Sequence, residues 1–161
     1  MTSPQVETLL SSLNSQREHV LGILEGLPEE DLRRPALPSG WSCLGLVSHL
    51  THDVERFWFQ GVVAGVKEAQ GSDGHPDYWQ VPAGSESSII LDDYRTHIAL
   101  ANEIITRTAL DRPPAWWPDY FPVRHRDLHE TVLHVITETA CHAGHLDAAR
   151  ELLDGRRWLV L

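Results

Sequence analysis

Residues 127–155, DLHETVLHVITETACHAGHLDAARELLDG, form the best-marked helical segment of the chain. Asp127 and Glu130 have the spacing of a capping box, with Asp in the place of Ser or Thr, which predicts that a helix begins here. Gly155 suits the left-handed position that commonly follows a helix C-terminus. We therefore expect one long helix between these two signals.

Within this predicted helix, a carboxylate and two imidazoles share one face. Glu138 and His142 are four residues apart, and His145 follows three residues later, so the three side chains point in nearly the same direction. On an ideal helix this face borders the apolar one, so its polar groups point to the edge of a core. Carboxylates and imidazoles are ligands of divalent metal ions, but one helix leaves the set incomplete.

Three further segments have helical periodicity. They cover residues 4–26, residues 42–65 and residues 88–109, and Pro113 lies where the third can no longer continue. Almost nothing between the helical segments has the pattern of a strand. The sequence therefore predicts an all-α protein, a four-helix bundle that forms a single domain over residues 1–161.

The connections between these helices differ in length and composition. Residues 28–40 contain Pro and Gly and have room for one short helical turn at 29–33. Residues 70–88 are rich in Gly, Ser, Asp and Pro and are predicted to be a long loop. An irregular segment, residues 115–126, precedes the last helix. We expect the long loop and the aromatic part of this segment, residues 116–121, to form the rim of a pocket.

The composition excludes several functional classes. The chain has 161 residues and a net charge of −10 with neutral histidines, which disfavours nucleic acids and anionic membranes as partners. No apolar run approaches the roughly 20 residues of a membrane span, and the N-terminus lacks the pattern of a signal peptide. We expect a cytoplasmic protein, because its two cysteines do not make a disulfide framework.

The second predicted helix supplies a candidate for the missing ligand, His49. This residue lies at the edge of its own apolar stripe, so it can meet the polar stripe of the last helix inside a bundle. His49, Glu138 and His142 would leave one position open, a pattern of catalytic zinc sites that iron(II) or nickel(II) also accepts. The alternative is that Glu138 and His142 form a solvated pair, because this spacing also arises by chance.

Two structural roles are open for each of the other polar residues near these positions. Asp53 lies one turn after His49 and either orients its imidazole through a hydrogen bond or is a surface carboxylate. His52, His134 and His145 are interpreted as surface groups or as groups outside the ligand set.

Cys141 adjoins His142 in sequence but points about 100° away from it. We expect Cys141 to be a buried structural thiol and not a nucleophile.

Four short stretches resemble a known family. Residues 40–42 (GWS) and 47–50 (VSHL) are similar to the helix-two signature of the DinB/YfiT-like superfamily. Residues 132–147 (VLHVITETACHAGHLD) and 150–155 (RELLDG) resemble its last-helix signature. The likeness covers essentially the whole chain. It is strongest to actinobacterial DinB-like proteins related to the metal-binding domain of mycothiol-dependent maleylpyruvate isomerase.

The resemblance implies a four-helix bundle with a metal at one end of its core. The matching ligand positions are His49, Glu138 and His142, and the isomerase branch resembles this chain in having Glu where many members have a second His. His145 falls where many members have Gln. In this scheme His145 and Asp53 are the candidates for orientation or proton transfer. The additional C-terminal domain of the isomerases is expected to be absent, so their substrate does not carry over.

The resemblance also implies thiol chemistry. The leading hypothesis is a metal-dependent S-transferase that acts on a small molecule with a low-molecular-weight thiol such as mycothiol as cosubstrate, and with zinc as its most plausible ion. A bound divalent metal would lower the pKa of the thiol. The alternatives are a hydrolase that activates water, a protein in which the ion only fastens two helices, and a helical module without metal. The pattern leaves open whether the chain forms a homodimer.

Overall fold

The computed structural model describes residues 3–71 and 77–158, and every regular element in these ranges is helical. Because the described ranges contain no strand, the predicted all-α class is confirmed. None of the helices in these ranges combines the length and the apolarity that a membrane span requires. The elements are α1 (Pro4–Leu24), α2 (Glu29–Arg33), α3 (Cys43–His49), a π-helical segment (Leu50–Val63), a 3₁₀ turn (Lys67–Ala69), α4 (Ser87–Arg107) and α5 (Leu128–Asp154).

Local signals set the ends of α1 and α5. Ser3 caps α1 through its side chain, and α1 ends two residues before the predicted limit. The Asp127 carboxylate accepts a hydrogen bond from the Glu130 N–H at 3.0 Å. Glu130 in turn accepts from the Arg126 N–H, one donor earlier than in the standard capping box. Gly155 has a φ of 79° and ends α5 in the left-handed conformation.

The second predicted helix differs from its expected form. It begins as α3 with Ser42 as its cap, as predicted, but directly after His49 it continues as the π-helical segment. The final Ala64 N–H, for example, donates to the Phe59 carbonyl, five residues back. A π-turn closes over five residues instead of four, so the angular positions assumed for an α-helix do not hold beyond His49.

The four long helical rods pack in two closely associated pairs. The first pair is α1 with α5, and the second is α4 with the π-helical segment; weaker contacts join α1 to α4 and the π-helical segment to α5. The core between them contains fully buried Leu13, Leu50 and Leu146. A four-helix bundle in the strict sense remains a prediction, whereas the all-helical packing around one apolar core is observed.

A buried ion pair crosses this core. Arg17 of α1 donates two hydrogen bonds to Glu55 of the π-helical segment, at 2.7 and 2.6 Å, and both side chains are at most 2% exposed. Two further N–H groups, both on Nη1, donate to the side-chain oxygens of Asn14 and Asn102. Because Asn102 lies on α4, this network links α1, the π-helical segment and α4.

We predict that Glu55→Ala lowers the free energy of unfolding by about 3–5 kcal/mol, because it leaves the buried Arg17 guanidinium without its counter-charge. Urea denaturation followed by circular dichroism measures the change. Glu103→Ala is the control, since Glu103 pairs with Arg107 on the exposed side of α4 and should change stability far less. Equal losses in the two variants would contradict the role assigned to the buried pair.

Candidate metal centre

Three side chains from two helical rods converge at one point of the fold. His49 is the last residue of α3, and Glu138 and His142 lie one turn apart on α5. One potential ligand atom from each residue lies within 4.8 Å of the other two. The structure thus brings together the three residues that the sequence pointed to. That they bind an ion remains a prediction.

The His49 imidazole is held in a defined orientation. Its Nδ1 lies 2.9 Å from Asp53 Oδ2, and a carboxylate can only accept, so Nδ1–H is the donor. The lone pair of His49 is therefore on Nε2. A carboxylate behind an imidazole is the usual outer partner of a metal-binding histidine. Asp53 lies where an orienting residue was predicted, one turn after His49.

An aromatic side chain that the sequence did not single out covers His49. Trp79 stacks on the imidazole with ring centroids 4.2 Å apart and an angle of 18° between the planes. The loop carrying Trp79 passes directly over Gly45, where a Cβ atom would lie 2.3 Å from the Trp79 carbonyl oxygen. The Asp77 carboxylate fixes this turn by accepting from the Trp79 N–H at 3.1 Å. Glycine at position 45 is therefore a steric requirement of the covered site.

The Glu138 carboxylate is surrounded by imidazoles. His134 Nε2 lies 3.0 Å from Glu138 Oε2 on the preceding turn of α5. Burial opposes ionisation of Glu138, but the neighbouring His134, His142 and His49 more than compensate, and the pKa of Glu138 falls below its ordinary value. Glu138 is therefore an anionic ligand candidate at neutral pH.

The His142 imidazole is uncharged at neutral pH, and its Nδ1 has no hydrogen-bond partner among the described residues. Burial, followed by the neighbouring His49, lowers the pKa of His142 to about 4, although Glu138 acts in the opposite direction. Its buried Nδ1 makes no hydrogen bond. A buried nitrogen without a partner, next to a second imidazole and a carboxylate, is the kind of group that a bound cation would satisfy. The donor set therefore fits a divalent metal.

His145 lies on the same side of α5 but outside this convergence. Its ring centroid is 5.6 Å from that of His142 and 6.2 Å from that of Trp41, and the residue is exposed. Trp41 and Trp79 also line a cleft of about 430 Å³ together with Ser39, Gly40, Asp77 and Gln80. The cleft shares Trp79 with the candidate metal centre, and none of the three candidate ligands lines it.

The predicted pocket rim is only partly described. Residues 72–76 of the long loop lie outside the described residues, whereas residues 77–79 reach the centre through Trp79. The aromatic segment is tied to the end of the π-helical segment, since the Trp116 N–H donates to the Val62 carbonyl at 3.1 Å. Tyr120 is 68% exposed, and partial burial together with the charge of Asp53 raises its pKa. Tyr120 therefore stands near the polar edge of the site.

The prediction for Cys141 was wrong. Its thiol is exposed, whereas Cys43 is buried and burial raises the pKa of Cys43 to about 11. Position 141 is about a quarter-turn away from the ligand face of α5, and that direction leads to solvent. Neither cysteine joins the cluster of His49, Glu138 and His142.

The fold and the site define a class: an all-helical protein in which two rods present a His/Glu group that could hold a metal ion. A family model described as mycothiol S-transferase matches residues 8–155. The chain belongs to this mycothiol S-transferase family, which is DinB/YfiT-like as the sequence resemblance predicted. A comparison with curated proteins gave no match.

We predict that His142→Ala lowers zinc affinity by more than about 100-fold, because only two protein ligands would remain, whereas the loss of an outer partner costs roughly 10–100-fold. His145→Ala, one turn away on the same helix, is the matched control and should lose much less. Competition with a chelating dye at neutral pH measures both constants. Comparable losses would place His145 among the ligands, and tight binding in His142→Ala would refute the set.

Proposed function

We propose that this chain is a mycothiol-type S-transferase that uses a divalent metal, zinc by preference, held by His49, Glu138 and His142. Nickel or iron(II) fits the same donor set. In this proposal the helical rods form a four-helix bundle that is one domain over residues 1–161. The observation that carries the proposal is the convergence of one potential ligand atom from each of the three residues within 4.8 Å.

The proposed ligands have suitable protonation states for this task. His49 presents Nε2 because its Nδ1–H donates a hydrogen bond to Asp53, and the lowered pKa of Glu138 keeps its carboxylate ionised. Three protein ligands leave a tetrahedral site one position short, which is the arrangement of catalytic rather than structural zinc. A bound ion would lower the pKa of a thiol that reaches it, so that the nucleophilic thiolate exists at neutral pH.

The residues around the proposed ligands orient the His49 ring and cover one of its faces. Asp53 fixes the ring of His49, and Trp79 covers one face of that ring. His145 is exposed at the cleft side of His142, from where its imidazole can accept or return the proton that the thiol loses. The cleft between Trp41 and Trp79 would receive the thiol and the small-molecule acceptor.

Family membership favours thiol over water as the activated group. The hydrolase alternative uses the same ligands and differs only in what enters the open position. A purely structural ion is the third possibility, and the match to a transferase family argues against it. The cytoplasmic location and the homodimer considered at the sequence level stay predictions.

We predict that the cobalt-substituted protein changes its visible absorption when mycothiol is added, because a sulfur ligand would enter the open position. S-methyl mycothiol is the control ligand, since its thioether cannot lose a proton, and it should leave the spectrum nearly unchanged. An unchanged spectrum at saturating mycothiol would refute the thiol role and leave the metal site intact.

A second prediction concerns turnover. With mycothiol and an electrophilic bimane reagent, Glu138→Gln should lower kcat/KM by on the order of 100-fold or more, because the ion loses its anionic ligand. Glu130→Gln is the matched control, since Glu130 lies two turns earlier on the same helix and serves as a cap. Fluorescence of the conjugate measures the rate. If both variants retain wild-type turnover, Glu138 is not part of the active centre.

A further inference from the structure

A second group of metal-ligating side chains lies on the neighbouring rods. His52 comes from the π-helical segment, and Asp93 and His97 lie one turn apart on α4. One potential ligand atom from each of the three residues lies within 4.8 Å of the other two. This second cluster shares no residue with the first.

The distances within the second cluster are too long for hydrogen bonds. His52 Nε2 lies 3.5 Å from Asp93 Oδ2, and His97 Nε2 lies 3.6 Å from Asp93 Oδ1. A side-chain hydrogen bond is not formed at such separations. Zinc–nitrogen and zinc–oxygen bonds of about 2.0–2.1 Å, however, place tetrahedral ligand atoms roughly 3.3–3.4 Å apart. The two separations, each to a different oxygen of Asp93, are close to that spacing, and one potential ligand atom from each residue lies within 4.8 Å of the other two.

The protonation state of the two imidazoles is compatible with metal binding. Burial lowers the pKa of both His52 and His97, with Asp93 opposing the shift and Arg56 adding to it. Both rings are therefore neutral at neutral pH, which is the form that binds metals. The positive Arg56 donates a hydrogen bond to the Glu68 carbonyl oxygen, and the carboxylates of Asp53 and Asp93 outnumber it near His52.

An aromatic ring covers the second cluster, a side-chain amide contacts one of its histidines, and a cleft opens beside it. Tyr78 stacks on His52 with ring centroids 4.2 Å apart, as Trp79 does on His49. The Gln60 amide nitrogen Nε2 lies 2.8 Å from His97 Nδ1, and the amide fixes the tautomer of that ring according to whether its nitrogen or, after a half-turn of the amide, its oxygen faces Nδ1. A cleft of about 400 Å³ opens beside His52 and Asp93 and is also lined by Ser48, Thr51 and Thr96.

From this geometry we propose that His52, Asp93 and His97 form a second divalent-metal site of the zinc class, with an open position towards the cleft. Two imidazoles and one carboxylate make the same donor set as in the first cluster, so the same ions are expected. For His97 to bind through Nε2, the Gln60 amide must present its oxygen to Nδ1–H. The fourth position would hold water or a small anionic ligand.

The test counts metal in the purified full-length protein after dialysis against excess zinc and removal of unbound ions. The wild type should hold about two equivalents per chain, and Asp93→Asn and His97→Ala about one. Asp92→Asn is the matched control, because Asp92 is the adjacent carboxylate, is 73% exposed and pairs with Arg95; it should keep both. Circular dichroism checks that each variant retains the helical content of the wild type.

The two sites can fail separately in this experiment. A wild type with one equivalent that His142→Ala abolishes and Asp93→Asn preserves would overturn the second site and leave the proposed function standing. A single equivalent with the opposite dependence would support the second site and overturn the first. Loss of metal in Asp92→Asn as well as in Asp93→Asn would indicate general acidic binding and would also overturn the second site.

A variant with a higher expected zinc affinity tests which ring nitrogen of His97 carries the proton. Gln60→Glu replaces the amide by a carboxylate that can only accept from His97 Nδ1–H, so zinc affinity of the second site should rise by roughly 10-fold. Titration of the His142→Ala background isolates this site from the first. An unchanged or weaker affinity in Gln60→Glu would overturn the assignment of His97 Nε2 as a ligand.

Discussion

The arrangement of the rods depends on the buried pair between Arg17 and Glu55. A guanidinium and a carboxylate that are both removed from water must meet each other, because either one alone would be strongly destabilising. Their two hydrogen bonds therefore join α1 to the π-helical segment across the core, and Asn102 brings α4 into the same network. That segment follows His49 directly and contains His52 and Asp53. One internal contact thus sets the position from which both histidine clusters are built.

The sequence predicted the features of this fold that depend on a single helix. Caps, a terminal glycine and the i, i+4 spacing of Glu138 and His142 are properties of one helix, and they can be read without knowing its neighbours. The all-helical class follows from the same local periodicity. The meeting of His49 with α5 involves two helices, and its prediction rested on the polar stripe at the edge of each apolar face and on the family resemblance, which supplied the matching ligand positions.

What the sequence did not predict depends on contacts between distant segments. Arg17 and Glu55 are 38 residues apart, and neither residue differs locally from an ordinary surface charge. His52, Asp93 and His97 form a group only when the π-helical segment and α4 lie side by side. The change from α3 to a π-helical geometry has no recognisable marker in residues 50–63, and it shifts the angular positions that an α-helical wheel assigns to residues after His49, His52 among them. The exposure of Cys141 was misjudged because a helical wheel gives direction but not the location of the neighbouring rods.

Tyr78 and Trp79 are consecutive residues, and each lies flat on the histidine of a different cluster. A single short stretch of backbone therefore shields both imidazoles, and the bare α-carbon of Gly45 is what allows it to come so close. Displacement of this stretch would expose both imidazoles in one movement. In the proposed two-site protein, metal exchange at one cluster would therefore accompany exchange at the other, because one backbone segment covers both histidines.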